Sequence, residues 1–357
     1  MRPLLACAAV TLMAAAVFAE EPAYRFDWTS ARQAAANAPS PAGRPAAGAP
    51  QSWSLSGEQR AGDRPFSTES GWPSWSSWHR LFPRLRDYQI GDEWGKKPVT
   101  ADMLASAGPV FERAAKATAR YGGATAFYLG RFNGHFVMAT NHHVSGSECK
   151  GEARFPLLNR SFSCERVYGD WPEVDLALFS IAVPAADEAL LAPLGRDFAF
   201  DAPIYPGQKL LTIGFGVAGN GGRAMVADQD GDCVVFSRRG DFRLLADPDE
   251  FNPGDYRAWS FANGCDVSHG DSGSAFVDRR TGDVLGIVWT GRFPKSEAVG
   301  RSAYLLPLIG SDDPQVWSEL TLSVPAAKMR ELLQAAVAAL PAGSDEAATL
   351  AAVLAGR

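Results

Sequence analysis

Between Ala124 and about residue 308 the apolar residues come in short runs, most of them five to nine positions long. The runs include "ATAFYLG", "HFVMATN", "SFSCERVYG", "DLALFSIAV", "QKLLTIGFG", "DCVVFS", "RAWSFAN", "SAFVD", "DVLGIVWTG" and "AYLLPL", separated by Gly, Pro and Asp. Short alternating or apolar segments broken by turn residues predict antiparallel β-structure, a barrel or a sandwich. No alternation of strands with helices of the doubly wound kind is present. The two flanks read differently. "TADMLASAGPVFERAAKATARYG", from Thr100, has helical periodicity and a capping threonine at its start. In "VPAAKMRELLQAAVAAL" Met329, Leu332, Leu333, Ala336, Val337 and Leu340 share one helical face, with Pro325 near the start and Pro341 at the end. "SDEAATLAAVLAGR" predicts a short further helix capped by Ser344.

Composition narrows the class. The chain has 357 residues, 46% of them hydrophobic, enough for one large domain or two. Formal net charge is −6 and no Lys/Arg run occurs, so nucleic acid and anionic membrane surfaces are not expected partners. Residues 1–19 have the form of an export signal: Arg2, the apolar run "LLACAAVTLMAAAVF", and small Val17 and Ala19 before a cleavage point. The run is too short for a comfortable span, so no membrane association is expected after cleavage, and the mature protein is placed in the periplasm or outside the cell. Loss of Cys7 with the signal leaves Cys149, Cys164, Cys233 and Cys265. In an oxidising compartment these make two disulfides, and sequential pairing, Cys149–Cys164 and Cys233–Cys265, would staple two local loops. A zinc site competes, but no pair has CxxC spacing. Residues 20–50 are rich in Ala, Pro and Gly and read as a linker or pro-segment. Trp72, Trp75 and Trp78 in "GWPSWSSWHR" predict rings that cover the following domain.

The chemistry concentrates in "NGCDVSHGDSGSAF", residues 263–276. Gly273 keeps the space beside Ser272 free, and Gly270 lets the N–H groups of Gly270 and Ser272 converge on one point. Such a donor pair holds a developing oxyanion, each donor being worth about 3 kcal/mol. A lone serine is a poor nucleophile and needs a base. His79, His135, His142, His143 and His269 are the only histidines, and all precede Ser272. That order excludes the α/β-hydrolase sequence Ser…Asp…His. "VMATNHHVSG" ends an apolar run and offers His142 or His143 as the base. "PEVDLALFSI" offers Asp175, a carboxylate followed directly by core residues, which needs a hydrogen-bonding partner.

These motifs together resemble the chymotrypsin-fold (trypsin-like) serine endopeptidases, in the bacterial branch with V8-like and HtrA-like enzymes. "TNHHV" resembles that branch's Thr-Asn-x-His-Val and selects His143; "DLAL" selects Asp175; "GDSGS" selects Ser272. The resemblance covers about residues 105–310. It implies an all-β fold of two six-stranded antiparallel β-barrels, with an irregular N-terminal extension and a helical C-terminal segment. The expected boundaries are 20–104 for the extension or pro-segment, 105–315 for the peptidase domain and 316–357 for the helical segment. It further implies a peptide or protein substrate, a triad of His143, Asp175 and Ser272, an oxyanion hole from Gly270 and Ser272, and no metal or other cofactor. Asp266, six residues before Ser272, takes the place of the primary-pocket base, which implies a preference for Arg or Lys. "GIVWTGR" resembles the strand that lines that pocket, with Trp289, Thr290 and Gly291. Val288 stands where glutamate-specific members place a His. Asp271 stands where family members pair an Asp with a newly cut N-terminus; buried, it needs a cation, for which an Arg is the expected source. An inserted loop is expected within 219–256. The acidic stretches "DQDGDC" and "ADPDEFNPGD" lack full calcium-loop spacing and read as solvated turns. A catalytically silent binding protein of the same fold is the alternative reading.

Overall fold

The computed structural model describes residues 84–250 and 253–356. The export signal, the linker, the Trp72–Trp78 stretch and His79 lie outside the described residues.

The described chain enters along an extended segment that ends in a two-residue strand, β1 (Lys97–Pro98). Two helices follow, α1 (Ala101–Ser106) and α2 (Pro109–Ala117). The Thr100 hydroxyl accepts from the Met103 N–H at 3.2 Å, the cap that the sequence predicts. The single predicted helix is split because Gly108 sits at φ +86° and Pro109 starts a new helix at N1. It also ends sooner than predicted. Residues Thr118–Tyr121 form strand β2, because Ala119 and Tyr121 are buried in a barrel and tertiary packing overrides helical propensity.

The first barrel is a closed ring of six antiparallel strands: β2, β3 (Ala124–Phe132), β4 (His135–Thr140), β5 (Glu152–Phe155), β6 (Arg160–Trp171) and β7 (Leu176–Ile181). Their spatial order is β2-β3-β4-β7-β6-β5, and Arg120 opposite Arg154 closes it. Inside, Tyr121 stacks on Phe179 with centroids 4.3 Å apart, amid Tyr128, Phe136, Phe155 and Phe162. A short helix, α3 (His142–Ser145), leaves the end of β4.

The second half is an eight-stranded antiparallel sheet. Its strands are β1, β8 (Leu210–Gly214), β9 (Val226–Asp228), β10 (Arg243–Ala246), β11 (Arg257–Asn263), β12 (Ala275–Asp278), β13 (Val284–Gly291) and β14 (Thr321–Pro325). They run in the order β1-β9-β8-β12-β13-β14-β11-β10. Single bridges join Lys209 to Val234 and Val235 to Asn263. The Leu210 N–H donates to the Cys233 carbonyl at 2.9 Å and the Gly264 N–H to the Val234 carbonyl at 3.0 Å. Residues 233–236 thus act as the sixth member of a second ring, between β8 and β11. The Cys233–Cys265 disulfide ties that member to the end of β11, and Cys149–Cys164 ties the first barrel's loop to β6.

Strand β14 lies within the stretch expected to be helical. Its buried Leu322 and Val324 fill the second core, so the barrel runs on to Pro325. Beyond it, α4 (Ala326–Ala339) and α5 (Asp345–Ala355) pack back on the barrels, with the Ser344 hydroxyl capping α5. Among the described residues no helix is long and apolar enough to cross a membrane.

Candidate active site

The site forms where the barrels meet. Thr125, on β3, is the joint. Its N–H donates to the Ser272 carbonyl at 3.0 Å, and its hydroxyl donates to the Gly270 carbonyl at 2.8 Å. The Thr125 carbonyl in turn accepts the Thr140 hydroxyl at 2.7 Å. Thr140 ends β4 and leads within three residues to His143. The serine turn of one barrel is therefore bonded, through two threonines, to the element that carries the imidazole of the other.

His143 is gripped by Asp175. The carboxylate accepts the His143 N–H at 3.0 Å through Oδ1 and faces Nδ1 at 2.8 Å through Oδ2. The Asp175 side chain is 0% exposed and that of His143 34%. Asp175 sits at φ +37°, a left-handed conformation in which an Asp is among the few non-glycine residues found, between a 3₁₀ turn and β7. Asn141 donates to its backbone carbonyl at 2.8 Å. Burial works against a charged His143, but the charge and hydrogen bond of Asp175, with the more distant Asp247, outweigh it and raise the pKa above the ordinary 6.5. His142 also has a carboxylate, Asp170, at 2.7 Å, but both side chains there are about a quarter exposed. With Nδ1 held by Asp175, the Nε2 atom of His143 is left to take a proton.

Ser272 stands in a turn built from glycines. Gly270 at φ +93° and Gly273 at φ +86° occupy conformations that other residues resist. A Cβ on Gly273 would overlap the Thr125 carbonyl, and one on Gly270 the Phe215 carbonyl. Among the described residues the N–H groups of Gly270 and Ser272 meet no acceptor. Asp271 points the other way, into the second barrel. Its carboxylate accepts from the Gly216 N–H at 3.0 Å and the Ser268 N–H at 2.9 Å. Its cation is Lys96, not an Arg: the two side chains form an ion pair and both are 0% exposed. Lys96 lies one residue before β1, on the far side of the expected domain boundary. The segment from Tyr88 to Pro98 is thus packed into the second barrel, with β1 paired to β9.

Asp266 does not lie at the base of an open pocket. It is 0% exposed, and its two oxygens accept from the Ile90 and Gly95 N–H groups at 2.6 Å each. Its own N–H donates to Asp228 Oδ2 at 2.6 Å. Two buried carboxylates so close cannot both ionise freely. Burial, then the charge of Asp228, raises the Asp266 pKa, while burial and Asp230 push Asp228 up to about 7. The segment at 88–96 covers the position that the sequence assigns to a substrate cation. Trp289 and Thr290 are both buried on β13. The Trp289 ring lies 6.0 Å from that of Tyr256, and the Thr290 hydroxyl bonds to Asp247. Gly291 is farther along, where a Cβ would approach Lys295 Nζ at 3.3 Å. The loop after β10 delivers Asp247 and Tyr256 beside His143. Sequence reasoning missed both of these, as it missed Lys96.

A family model described as "Trypsin-like peptidase domain" matches residues 124–287, from the start of β3 into β13. No curated protein sequence matches the chain. Among solved structures, one match is an inactive form of Rv3671c from M. tuberculosis H37Rv, a serine-to-alanine mutant. It is 20% identical, covers 69% of this chain and 99% of that one, and has a TM-score of 0.43. Another is the HtrA-type protease AlgW with a decapeptide. It is 16% identical, covers 66% of this chain and 68% of that one, with a TM-score of 0.41. Residues 124–287 match the trypsin-like peptidase domain, and the closed barrel and antiparallel sheet that they span fit the chymotrypsin fold of serine endopeptidases.

Proposed function

We propose that this endopeptidase is exported and cleaves peptide bonds through Ser272, His143 and Asp175. One observation carries the reading. The buried Asp175 grips His143 twice, and Thr125 and Thr140 tie that histidine's element to the turn of Ser272.

In this reading the three residues act as a serine–histidine–aspartate triad. Ser272 Oγ attacks the scissile carbonyl carbon while its proton passes to His143 Nε2. Asp175 keeps the Nδ1–H tautomer and faces the imidazolium with a full charge. The carbonyl π pair moves onto oxygen, where the Gly270 and Ser272 N–H groups receive it. As the intermediate collapses, the C–N bond breaks and the leaving amine takes the proton from Nε2. Water, deprotonated by the same nitrogen, then releases the acyl group and restores Ser272. Export is supported by the two disulfides, which persist in an oxidising compartment. No preference for Arg or Lys follows from Asp266, whose carboxylate is taken by Ile90 and Gly95.

Labelling with a fluorophosphonate probe tests the reading. The wild type should label and Ser272→Ala should not, with peptide hydrolysis lost by roughly 10³-fold or more. Equal labelling of both chains, or none of either, would overturn it and favour a silent binding protein. In the active enzyme the acid limb of kcat/KM should fall at a pH above 6.5, because Asp175 and Asp247 outweigh burial and hold His143 protonated to higher pH.

A further inference from the structure

Tyr256 ends the loop that follows β10 and stands one residue before β11. Its Oη is 3.0 Å from His143 Nδ1. The Asp175 carboxylate faces that same Nδ1 at 2.8 Å. The Tyr256 ring is seated between two others. His142 meets it edge-on, with centroids 5.6 Å apart and planes at 89°, and Trp289 lies against it at 6.0 Å.

The proton positions at this junction follow from the acceptors. Nδ1 carries a hydrogen because it faces a carboxylate oxygen at 2.8 Å. It therefore cannot accept from the tyrosine, and Asp175 is the acceptor left to the hydroxyl proton at this junction. Burial, then the charge of Asp175, then that of Asp247, drive the ionisation of Tyr256 far above its ordinary range, so the hydroxyl keeps its proton. The groups that face this junction are Asp175 ahead of β7, Asp247 after β10, and His142 on α3, itself paired with Asp170. Asp175 and Asp247 both favour a protonated His143. The tyrosine hydroxyl acts against them, by drawing charge from the carboxylate that the imidazole feels.

We propose that Tyr256 is a positioning residue of the active site: by donating to Asp175 from the second barrel, it fixes the His143–Asp175 pair and restrains the basicity of His143. The proposal rests on the reading of His143 as the catalytic base. It also gives the inserted loop a task, since the β10–β11 connection carries both the group that restrains His143 and the group, Asp247, that opposes it.

Two substitutions of opposite sign test this. Tyr256→Phe keeps the ring between His142 and Trp289 and removes only the hydroxyl. The acid limb of kcat/KM should move to higher pH by about 0.5–1 unit, and kcat should fall ~3–10-fold with KM little changed. Asp247→Asn keeps an acceptor for Thr290 and removes a charge, so the limb should move to lower pH. A limb within 0.2 unit of wild type in Tyr256→Phe, a rise in KM alone, or shifts of the same sign in the two variants would overturn the proposal. The same pair of substitutions in a Ser272→Ala background, with the His143 imidazole titrated by NMR, reads the effect without turnover. If the wild type fails to label with fluorophosphonate, the catalytic reading fails alone, and the imidazole titration still decides the role of Tyr256.

Discussion

The two barrels contribute to the site in different ways. The first is a ring of contiguous sequence, β2 to β7, and both of its catalytic candidates come from that ring or its edge. His143 and Asp175 are 32 residues apart and bond directly to each other. The second ring is closed by single bridges at 233–236, and its serine turn is braced from outside. Asp271 is neutralised by Lys96, 175 residues earlier, and Asp266 by backbone N–H groups of the same entering segment. The carboxylate that grips His143 belongs to its own barrel, whereas the carboxylates that flank the Ser272 turn are anchored by chain outside the matched residues 124–287. A hydrogen-bonded pair can be self-contained when both members are neighbours in one ring. A turn that must aim two N–H groups at a point has spent its backbone on geometry, and its side chains must be anchored by something else.

The sharpest way to break this comparison is Lys96→Met. It strands a fully buried carboxylate next to Ser272 and should cost about 3–5 kcal/mol. Thermal unfolding should shift accordingly, and the rate of fluorophosphonate labelling should fall at least about tenfold, as the Gly270 and Ser272 amides lose their support. The matching cut in the first barrel, Asp170→Asn beside His142, touches a partly exposed pair and should move stability by less than about 1 kcal/mol. Equal losses in the two variants would erase the contrast.

Disulfide removal sharpens it next. The Cys149–Cys164 bridge spans 15 residues and Cys233–Cys265 spans 32. Loop entropy alone gives about 3.0 and 3.7 kcal/mol for the paired Cys→Ala variants. Cys233 and Cys265 are buried at the closure of the second ring, so their loss should also slow serine labelling, and loss of the first pair should not. Gly273→Ala should cost about 2 kcal/mol or more, because a Cβ there strains a left-handed backbone and strikes the Thr125 carbonyl. That variant should lose labelling while the His143 Nδ1 proton is unchanged by NMR.

A further expected effect is a pH dependence that originates in the second barrel. Asp228 titrates near 7 when folded, above its ordinary 3.8, so the native state binds this proton more tightly than the unfolded chain. The stabilisation is full below the unfolded value and is lost as pH rises from there through about 7. Thermal unfolding should therefore register a fall in stability of up to ~1.4 kcal/mol per pH unit over that window, and Asp228→Asn should flatten it.

Much of the candidate site was legible in the sequence, and the reason is local. Ser272, His143 and Asp175 each sit in a short motif whose neighbours do the shaping: two glycines, a threonine at a strand end, an apolar strand. The Thr100 and Ser344 caps and the two disulfide pairs are short-range too. Lys96 and Tyr256 gave no such signal. Each acts on a group more than a hundred residues away, and their immediate neighbours, "WGKKP" and "GDYRA", look like turn and linker. Asp266 misled for the same reason. Its position in the motif says pocket, but the segment that covers it is 171 residues distant. The strand Thr118–Tyr121 was read as helix because its alternation, buried Ala119 and Tyr121, is too short to stand apart from the helix that precedes it, and it is held as a strand by its partner β3.

The bond from Lys96 to Asp271 has a bearing on the order of assembly. Closing a loop of 175 residues in an open chain costs about 4–5 kcal/mol in entropy by the logarithmic law. The first barrel lies wholly inside that loop. Once its ring has formed, β2 and β7 bring residues 118 and 181 to one body, and the free chain in the loop is reduced to the stretches 96–118 and 181–271. The first barrel is thus expected to fold early and to act as a spool on which the entering segment and the second barrel are drawn together. During refolding, recovery of β-structure should precede the return of serine reactivity, with the lag set by the docking of a single lysine.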